Sequence, residues 1–138
     1  MYASFAHPSC QPSKLYIQAI PKSVRDRMGE RMKELGMKSF WSPPDDATPE
    51  QIAEFEEFAA KMLVPDELIT TWVDVSGAPL QAKWDAIHEH VTQISDESPF
   101  MLLGFDGWQE GWANEAYILR ESRVEAPIPE TDLFAGIV

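Results

Sequence analysis

The feature that most constrains the fold is the spacing of the apolar side chains, which changes along the chain. Over residues 23–94 apolar residues recur mainly at steps of three and four, the pattern of helices that each bury one face. After residue 95 they form short runs bounded by Pro and Gly, which is typical of strands. The sequence therefore predicts an α+β domain, with helices in the N-terminal half packed on a small, mostly antiparallel sheet from the C-terminal half.

Turn and capping residues set the expected bounds of these elements. Thr48, Pro49 and Gln51 form the clearest helix start, a capping box with Pro at the first helical position. Ser23 is expected to cap an earlier helix. The helical spacing of the apolar residues predicts a helix at 66–75, and the alternative is a strand, which the two Thr and Val75 would suit. The sequence predicts strands at 15–20, 100–105 and 116–122 and helices at 23–35, 48–62 and 79–94; residues 123–128 are a candidate for a third C-terminal strand.

The length of 138 residues predicts a single domain over 1–138, with an irregular N-terminal stretch at 1–12 and a loose tail at 129–138. Cys10 is the one cysteine, so no internal disulfide can form, which fits a reducing compartment. The first residues lack a signal-peptide pattern, and no apolar run reaches the length of a membrane span. We therefore expect a cytoplasmic protein.

Charge is divided unevenly along the chain. Residues 1–42 hold seven of the 11 basic and three of the 23 acidic side chains, which gives them a net charge of +4. Residues 43–138 therefore have a net charge of −16, and the whole chain has −12. Such an acidic surface repels nucleic-acid phosphates and anionic lipid and attracts basic proteins. The charge predicts a basic protein partner, either a toxin or a nucleic-acid-binding protein, with no direct binding to nucleic acid and no membrane contact.

No known catalytic motif occurs in the sequence. His88 and His90 stand two positions apart on a predicted helix, where their side chains point away from each other and cannot share a metal ion. Cys10 has only His7 near it in sequence and lies outside any predicted helix. We therefore expect no catalytic residue, no metal and no cofactor, and a protein that is not an enzyme.

The segment 106–112 is the strongest candidate for a binding site. Trp108 and Trp112 stand four apart among two Gly and two acids, between two predicted strands. One interpretation is a hairpin whose tryptophans fold back on the sheet. The other is a protruding loop whose aromatic side chains anchor a partner while acids meet its basic groups. The second interpretation predicts these contact residues: Asp106, Trp108, Glu110, Trp112 and Glu115.

Four short motifs carry a resemblance to a known family. They are PDDATPEQIAEFE at 44–56, MLVPDEL at 62–68, VSG at 75–77 and MLLGFDG at 101–107. Their order over about residues 23–123 resembles the SUKH superfamily, which includes bacterial immunity proteins and the yeast cell-wall-synthesis regulator. The resemblance implies an α+β fold, no cofactor and a role in binding a toxin domain.

Together, the acidic charge and the resemblance lead us to expect an immunity-type inhibitor that neutralises a basic toxin or nuclease domain. The first alternative is a phage-type anti-defence protein or nucleic-acid mimic that blocks a DNA-binding protein. A second alternative is an enzyme of unrecognised type, for which a deep pocket holding a carboxylate of raised pKa would be the sign.

Overall fold

The structure, a computed structural model, describes residues 12–39 and 41–137. Within those residues it contains five α-helices, one short 3₁₀ helix and a four-stranded sheet. In chain order the elements are β1 (Lys14–Pro21), α1 (Lys22–Glu34), α2 (Pro49–Met62), β2 (Leu63–Val64), the 3₁₀ helix (Asp66–Leu68), β3 (Thr71–Asp74), α3 (Ala78–His88), α4 (Pro99–Leu102), α5 (Gly104–Trp112) and β4 (Asn114–Ser122).

The sheet is mixed and has the strand order β2-β1-β4-β3. β1 runs antiparallel to β4, and β4 runs antiparallel to β3, whereas β2 lies parallel to β1 at the edge. The two long strands, β1 and β4, therefore occupy the centre, although one comes from each end of the described chain. Ile17 is paired with Ile118, and Ala116 is paired with both Ala19 and Trp72.

The main hydrophobic core is helical. Helices α1, α3 and α5 bring their apolar faces together, and Trp84, Ile87, Phe105 and Trp112 add half-buried surface around them. Burial of these side chains is the main stabilising force on the helices, since each fully buried large apolar side chain contributes about 1.5–3 kcal/mol. The buried residues of this core are Val24, Met28, Met32, Leu80, Leu103 and Trp108.

The α+β class predicted from the apolar spacing is confirmed, as are the strands near 15–20 and 116–122 and the helices near 23–35 and 48–62. The helix expected at 79–94 ends at His88. The strand interpretation holds for the second half of 66–75, where β3 follows the 3₁₀ helix. Residues 123–128 form no strand. None of the described helices is long and apolar enough to cross a membrane.

The prediction of a buried strand at 100–105 is wrong, because α4 and the start of α5 occupy these residues. A short continuous apolar run does not distinguish a buried strand from a buried helix. The helix signal lies just before the run: the Ser98 hydroxyl accepts a hydrogen bond from the Met101 N–H at 3.4 Å, and Pro99 takes the first helical position. Gly104, with φ of +66°, provides the bend between the two helices.

The two predicted helix caps have different outcomes. Thr48 forms the expected capping box: its hydroxyl accepts from the Gln51 N–H at 3.3 Å, and the Gln51 side chain accepts from the Thr48 N–H at 2.9 Å. Ser23 is not a cap, because α1 begins one residue earlier. Instead its N–H donates to a carboxylate oxygen of Asp66 at 3.1 Å, so a residue distant in sequence satisfies the start of α1. The Ser23 hydroxyl also donates to Asp66 and lowers the pKa of that carboxyl.

The segment expected to be a loose tail is fixed at Glu130. Its side chain is fully buried and forms an ion pair with the equally buried ammonium group of Lys14. Tyr16 Oη and Thr71 Oγ1 donate to the same carboxylate at 2.7 and 3.0 Å. The Glu130 backbone accepts from the Trp72 N–H at 2.9 Å and donates to the Thr70 carbonyl at 2.8 Å. One residue therefore connects the C-terminal segment to both β1 and β3.

Burial by itself would raise the pKa of Glu130, but the hydrogen bonds from Lys14, Tyr16 and Thr71 outweigh it and lower the pKa. The opposite balance holds for Lys14: burial would lower its pKa, and the contact with Glu130 raises it. Both groups are therefore charged in the folded protein at neutral pH. Stability from Glu130 is present above the ordinary Glu pKa of about 4.3 and is lost as the pH falls through its lowered folded value.

We predict that Glu130→Gln lowers the free energy of unfolding by about 3 kcal/mol at pH 7, because it leaves a buried ammonium group without its counter-charge. The difference from the wild-type chain should begin to shrink below about pH 4, where residue 130 takes up a proton in the unfolded chain before it does so in the folded one, and should continue to shrink as the pH falls through the lowered folded pKa of Glu130. Urea unfolding at pH 7 and pH 3 measures both effects. The control is Glu54→Gln on the exposed surface of α2, which should change stability by less than about 0.5 kcal/mol. Equal stability of Glu130→Gln and the wild-type chain at pH 7 would contradict the prediction.

Candidate functional site

An apolar groove lies where the end of β1 meets α1 and α5. It encloses about 270 Å³, and its walls are mostly apolar, with one guanidinium group from Arg25. A larger depression of about 570 Å³, lined by parts of 119–127, is shallower and more open. The enclosed groove is therefore the better candidate for holding a small molecule. We call it the tryptophan groove; its lining residues are Ile20, Val24, Arg25, Met28, Trp41, Phe100 and Trp112.

Local structure fixes each wall of the tryptophan groove. Pro21 ends β1 and starts α1 without a break, so Ile20 and the first turn of α1 are held next to each other. Val24 and Met28 stand four apart on α1 and share one face. Trp112 is the last residue of α5, and the adjacent Gly111 lets that helix approach α1 closely.

A chain of aromatic rings supports the groove from inside the helical core. The Trp84 ring contacts the Trp108 ring edge to face at a centroid distance of 5.3 Å, and the Trp108 ring lies 4.9 Å from that of Trp112. Phe100 completes the chain at 5.9 Å from Trp112. The Trp108 N–H donates to the Phe100 carbonyl at 2.9 Å, which fixes α4 against α5. Trp112 is therefore held in place on its inner side and remains half-buried at the groove.

A polar recess of about 100 Å³ continues the groove past Trp112 and towards β4. It shares the lining residues Ile20, Val24 and Trp112 with the tryptophan groove, so the two lie side by side, and we refer to them together as the depression. The polar side chains that line this recess are Gln18, Lys83, Asn114 and Glu115. The combined depression thus has an apolar, aromatic part and a part rich in hydrogen-bonding groups.

The charged groups of the recess are paired with each other. Lys83 Nζ donates to Glu115 at 2.9 Å, and the Tyr117 hydroxyl donates to the other Glu115 oxygen. The hydrogen bond from Lys83, together with that from Tyr117, lowers the pKa of Glu115. The hydrogen bond to Glu115, with some contribution from burial, raises the pKa of Tyr117 to about 12. At neutral pH Glu115 therefore presents an ionised carboxylate to the recess, which can accept hydrogen bonds from a polar ligand, while the Tyr117 phenol that donates to it stays neutral.

The structure separates the five residues predicted to contact a partner. The segment 106–112 is part of helix α5, so the expected protruding loop is wrong. Trp108 is only 6% exposed and belongs to the core. Asp106 and Glu110 are exposed on α5, and a Glu110 oxygen lies 3.7 Å from Arg31 Nε. Trp112 and Glu115 line the depression. Contact of Asp106, Trp108, Glu110, Trp112 and Glu115 with a basic protein partner stays a prediction.

The other candidates from the sequence do not form a site. His88 ends α3 with its Nδ1 2.7 Å from the Trp84 carbonyl, and His90 lies beyond the helix. His7 and Cys10 fall outside the described residues. Within 12–39 and 41–137, no three side chains among His, Cys, Asp and Glu are grouped so that they could hold a metal ion.

Sequence reasoning missed most of the groove. From the sequence, Arg25 is only one of the seven basic side chains of residues 1–42, and the run that contains Phe100 predicts a strand. Trp41 follows α1 by seven positions, in a segment without regular structure, and no sequence signal places it next to Trp112. The one usable signal was the high tryptophan content, five in 138 residues, because tryptophan serves both cores and binding sites.

Three curated proteins are similar to nearly all of this chain. A 1D-myo-inositol 2-acetamido-2-deoxy-alpha-D-glucopyranoside deacetylase from Geodermatophilus obscurus is 33% identical over 126 residues, which cover 91% of this chain and 39% of that protein. A protein of the same name from Acidothermus cellulolyticus is 29% identical over 127 residues, covering 91% of this chain and 40% of the relative. A mycothiol S-conjugate amidase from Streptomyces coelicolor is 29% identical over 128 residues, which cover 92% of this chain and 40% of that protein.

The chain therefore spans about two fifths of the length of these relatives. No family model matches the chain. No solved structure matches it either.

These similarities overturn the function expected from the sequence. The resemblance to the SUKH superfamily is wrong, because the curated relatives are named as a deacetylase and an amidase. The immunity-type inhibitor is wrong for the same reason, and the nucleic-acid mimic gains no support. The expectation that the protein is not an enzyme is contradicted as well, since all three relatives carry enzyme names.

We predict that Gly111→Ala destabilises the protein by about 1–3 kcal/mol, because its Cβ would lie 2.2 Å from Met28 Sδ in a well-packed part of the core. Met28 is 2% exposed and has little space to move into. The matched control is Gly29→Ala inside α1, where the nearest atom to a new Cβ is Ser39 Oγ at 3.9 Å. That substitution should stabilise the protein by up to about 1 kcal/mol. Thermal unfolding of both variants measures the contrast, and a stabilised Gly111→Ala would refute the close packing of α5 on α1.

Proposed function

We propose that this chain is part of an amide hydrolase that acts on an amino sugar, and that it contributes the tryptophan groove and the polar recess to substrate binding. The observation that carries the proposal is the similarity, over about nine tenths of the chain, to three proteins named for this chemistry. Because the chain spans only two fifths of those proteins, the reaction of the whole enzyme is part of the proposal.

The names of the relatives describe reactions at one type of bond. A deacetylase of a 2-acetamido sugar and an amidase both cleave the C–N bond of an amide. Water supplies a hydroxyl group to the acyl carbon and a proton to the departing nitrogen, so the products are a carboxylic acid and an amine. The substrate class that follows is an amide formed on the nitrogen of an amino sugar.

The shape and chemistry of the depression suit such a substrate. A sugar ring has an apolar face of C–H groups and a rim of hydroxyls. The face can pack on an aromatic ring, as Trp112 and Trp41 offer, while Asn114 and Glu115 are placed to bond with hydroxyls. The paired charges of Lys83 and Glu115 leave little net charge in the recess, which favours a neutral polyol over a charged ligand.

A cytoplasmic location is also part of the proposal. It is supported by the single cysteine of the sequence, which fits a reducing compartment.

We predict that the chain binds 1D-myo-inositol 2-acetamido-2-deoxy-α-D-glucopyranoside with a Kd of about 1 mM or tighter, and that Trp112→Ala weakens binding at least about tenfold by removing the aromatic face. Isothermal titration calorimetry measures both. Asn114→Ala provides a second variant, because this residue is exposed and its loss removes one hydrogen-bonding group without disturbing the core. It should also weaken binding.

Phe134→Ala is the control for this experiment. Phe134 is 66% exposed and lies outside the depression, so its loss should leave the affinity unchanged. Free myo-inositol should bind more weakly than the acetamido sugar. The proposed role of the groove would be overturned if the folded wild-type chain bound no sugar. It would also be overturned if Trp112→Ala and Asn114→Ala both bound the sugar with the affinity of the wild-type chain.

A further inference from the structure

The two faces of the sheet are covered very differently. On one face the Tyr16 hydroxyl donates to Glu130 at 2.7 Å and contacts the Leu133 carbonyl at 3.3 Å, so the C-terminal segment covers this side. Strand register identifies the residues of the opposite face, because directly paired residues point to the same side. We call it the isoleucine face; it consists of Ile17, Ala19, Trp72, Ala116 and Ile118.

Burial along β1 departs from what its sequence predicts at two residues, Lys14 and Ile17, whereas Ala19 is buried and Gln18 is exposed as expected. Lys14, Tyr16 and Gln18 alternate with apolar residues, so the apolar side of the strand should face the core. Instead the Lys14 side chain is 2% exposed, whereas Ile17 is 39% exposed. Ile17 lies in one of the two central strands, where an apolar side chain normally faces a second layer.

Within the described residues, the apolar side chains grouped with the isoleucine face come from the sheet itself and from Ile69 just before β3. The small core there consists of Ala19, Ile69 and Ala116, with half-buried Val64, Trp72 and Ile118 around it. Every one of these residues belongs to a strand or to the segment just before β3, and none comes from a helix. The helices pack on each other in the separate core of α1, α3 and α5.

The relatives supply the identity of the missing layer. This chain matches 39% of the Geodermatophilus obscurus protein, so about three fifths of that protein is joined to a segment similar to this one. The same proportion holds for the other two relatives. A segment that recurs as a fixed part of longer enzymes needs a surface that packs against the remainder.

We propose that the isoleucine face is a docking surface for the polypeptide unit that makes up the unmatched three fifths of such relatives. The expected contact is an apolar helix or sheet surface of that unit, laid over Ile17 and Ile118. The proposal rests on the length of the relatives and the exposed face, and it does not depend on sugar binding by the groove.

The test compares the chain alone with a chimaera in which it replaces the matched residues of the Geodermatophilus obscurus deacetylase. Ile17→Cys is introduced into both proteins, and maleimide labelling of its peptide is followed by mass spectrometry. We expect labelling in the chain alone and at least about tenfold slower labelling in the chimaera. Val91→Cys is the matched control, because Val91 is an apolar residue that is 76% exposed outside the sheet, and it should label at the same rate in both.

Equal labelling of Ile17→Cys in both proteins would overturn the proposal. Slow labelling of the chain alone that speeds up on dilution would also overturn it, in favour of a second copy of this chain as the occupant.

If the chimaera does not fold, the unmatched segment is co-expressed with the tagged chain. Co-purification that Ile17→Asp reduces at least about tenfold, while Val91→Asp does not, would support the docking surface, and a failure of the wild-type chain to co-purify would refute it.

Discussion

The buried carboxylate of Glu130 is the interaction on which the arrangement of the sheet depends. A charge removed from water is tolerated only where a counter-charge and hydrogen bonds replace the lost solvation. Lys14, Tyr16 and Thr71 provide them, and they come from β1 and β3, which do not touch each other in the sheet. The C-terminal segment is thus connected to both strands on either side of β4. This network covers one face of the sheet, and on the opposite side of β1 the Ile17 side chain is 39% exposed.

The tryptophan groove depends on a second constraint, the close approach of α5 to α1. Gly111 has no side chain, and Met28 fills the space where one would be. This contact places Trp112 at the end of β1, between the apolar groove and the polar recess. The aromatic chain from Trp84 through Trp108 holds the ring of Trp112 on its inner side. The proposed binding surface is therefore built on packed helices, which position side chains more firmly than a loop can.

The uneven charge led the functional interpretation in the wrong direction for a physical reason. Net charge describes solubility and long-range attraction, and it carries no information about the reaction that a protein takes part in. The acids of this chain are spread over exposed surfaces, and several are paired with a nearby base, as Glu57 is with Lys61 and Glu115 with Lys83. The proteins similar to this chain are named for amide cleavage. In the proposed function, the aromatic groove recognises the bound molecule, a role that the sequence alone led us to expect of the acidic surface.

The sequence by itself determined the elements whose signals are local. The capping box at Thr48, the helical spacing of α1 and the run of Tyr117, Ile118 and Leu119 in β4 each depend on residues a few positions apart, and so they could be predicted. Tertiary structure decided the rest. Only the packing of α4 on α5 places Phe100 beside Trp112, and Asp66 rather than Ser23 satisfies the start of α1. The site joins Ile20, Trp41, Phe100 and Trp112, which only folding brings together. No local pattern could place Glu130 beside Lys14, because the partners of a buried charge are set by the whole fold.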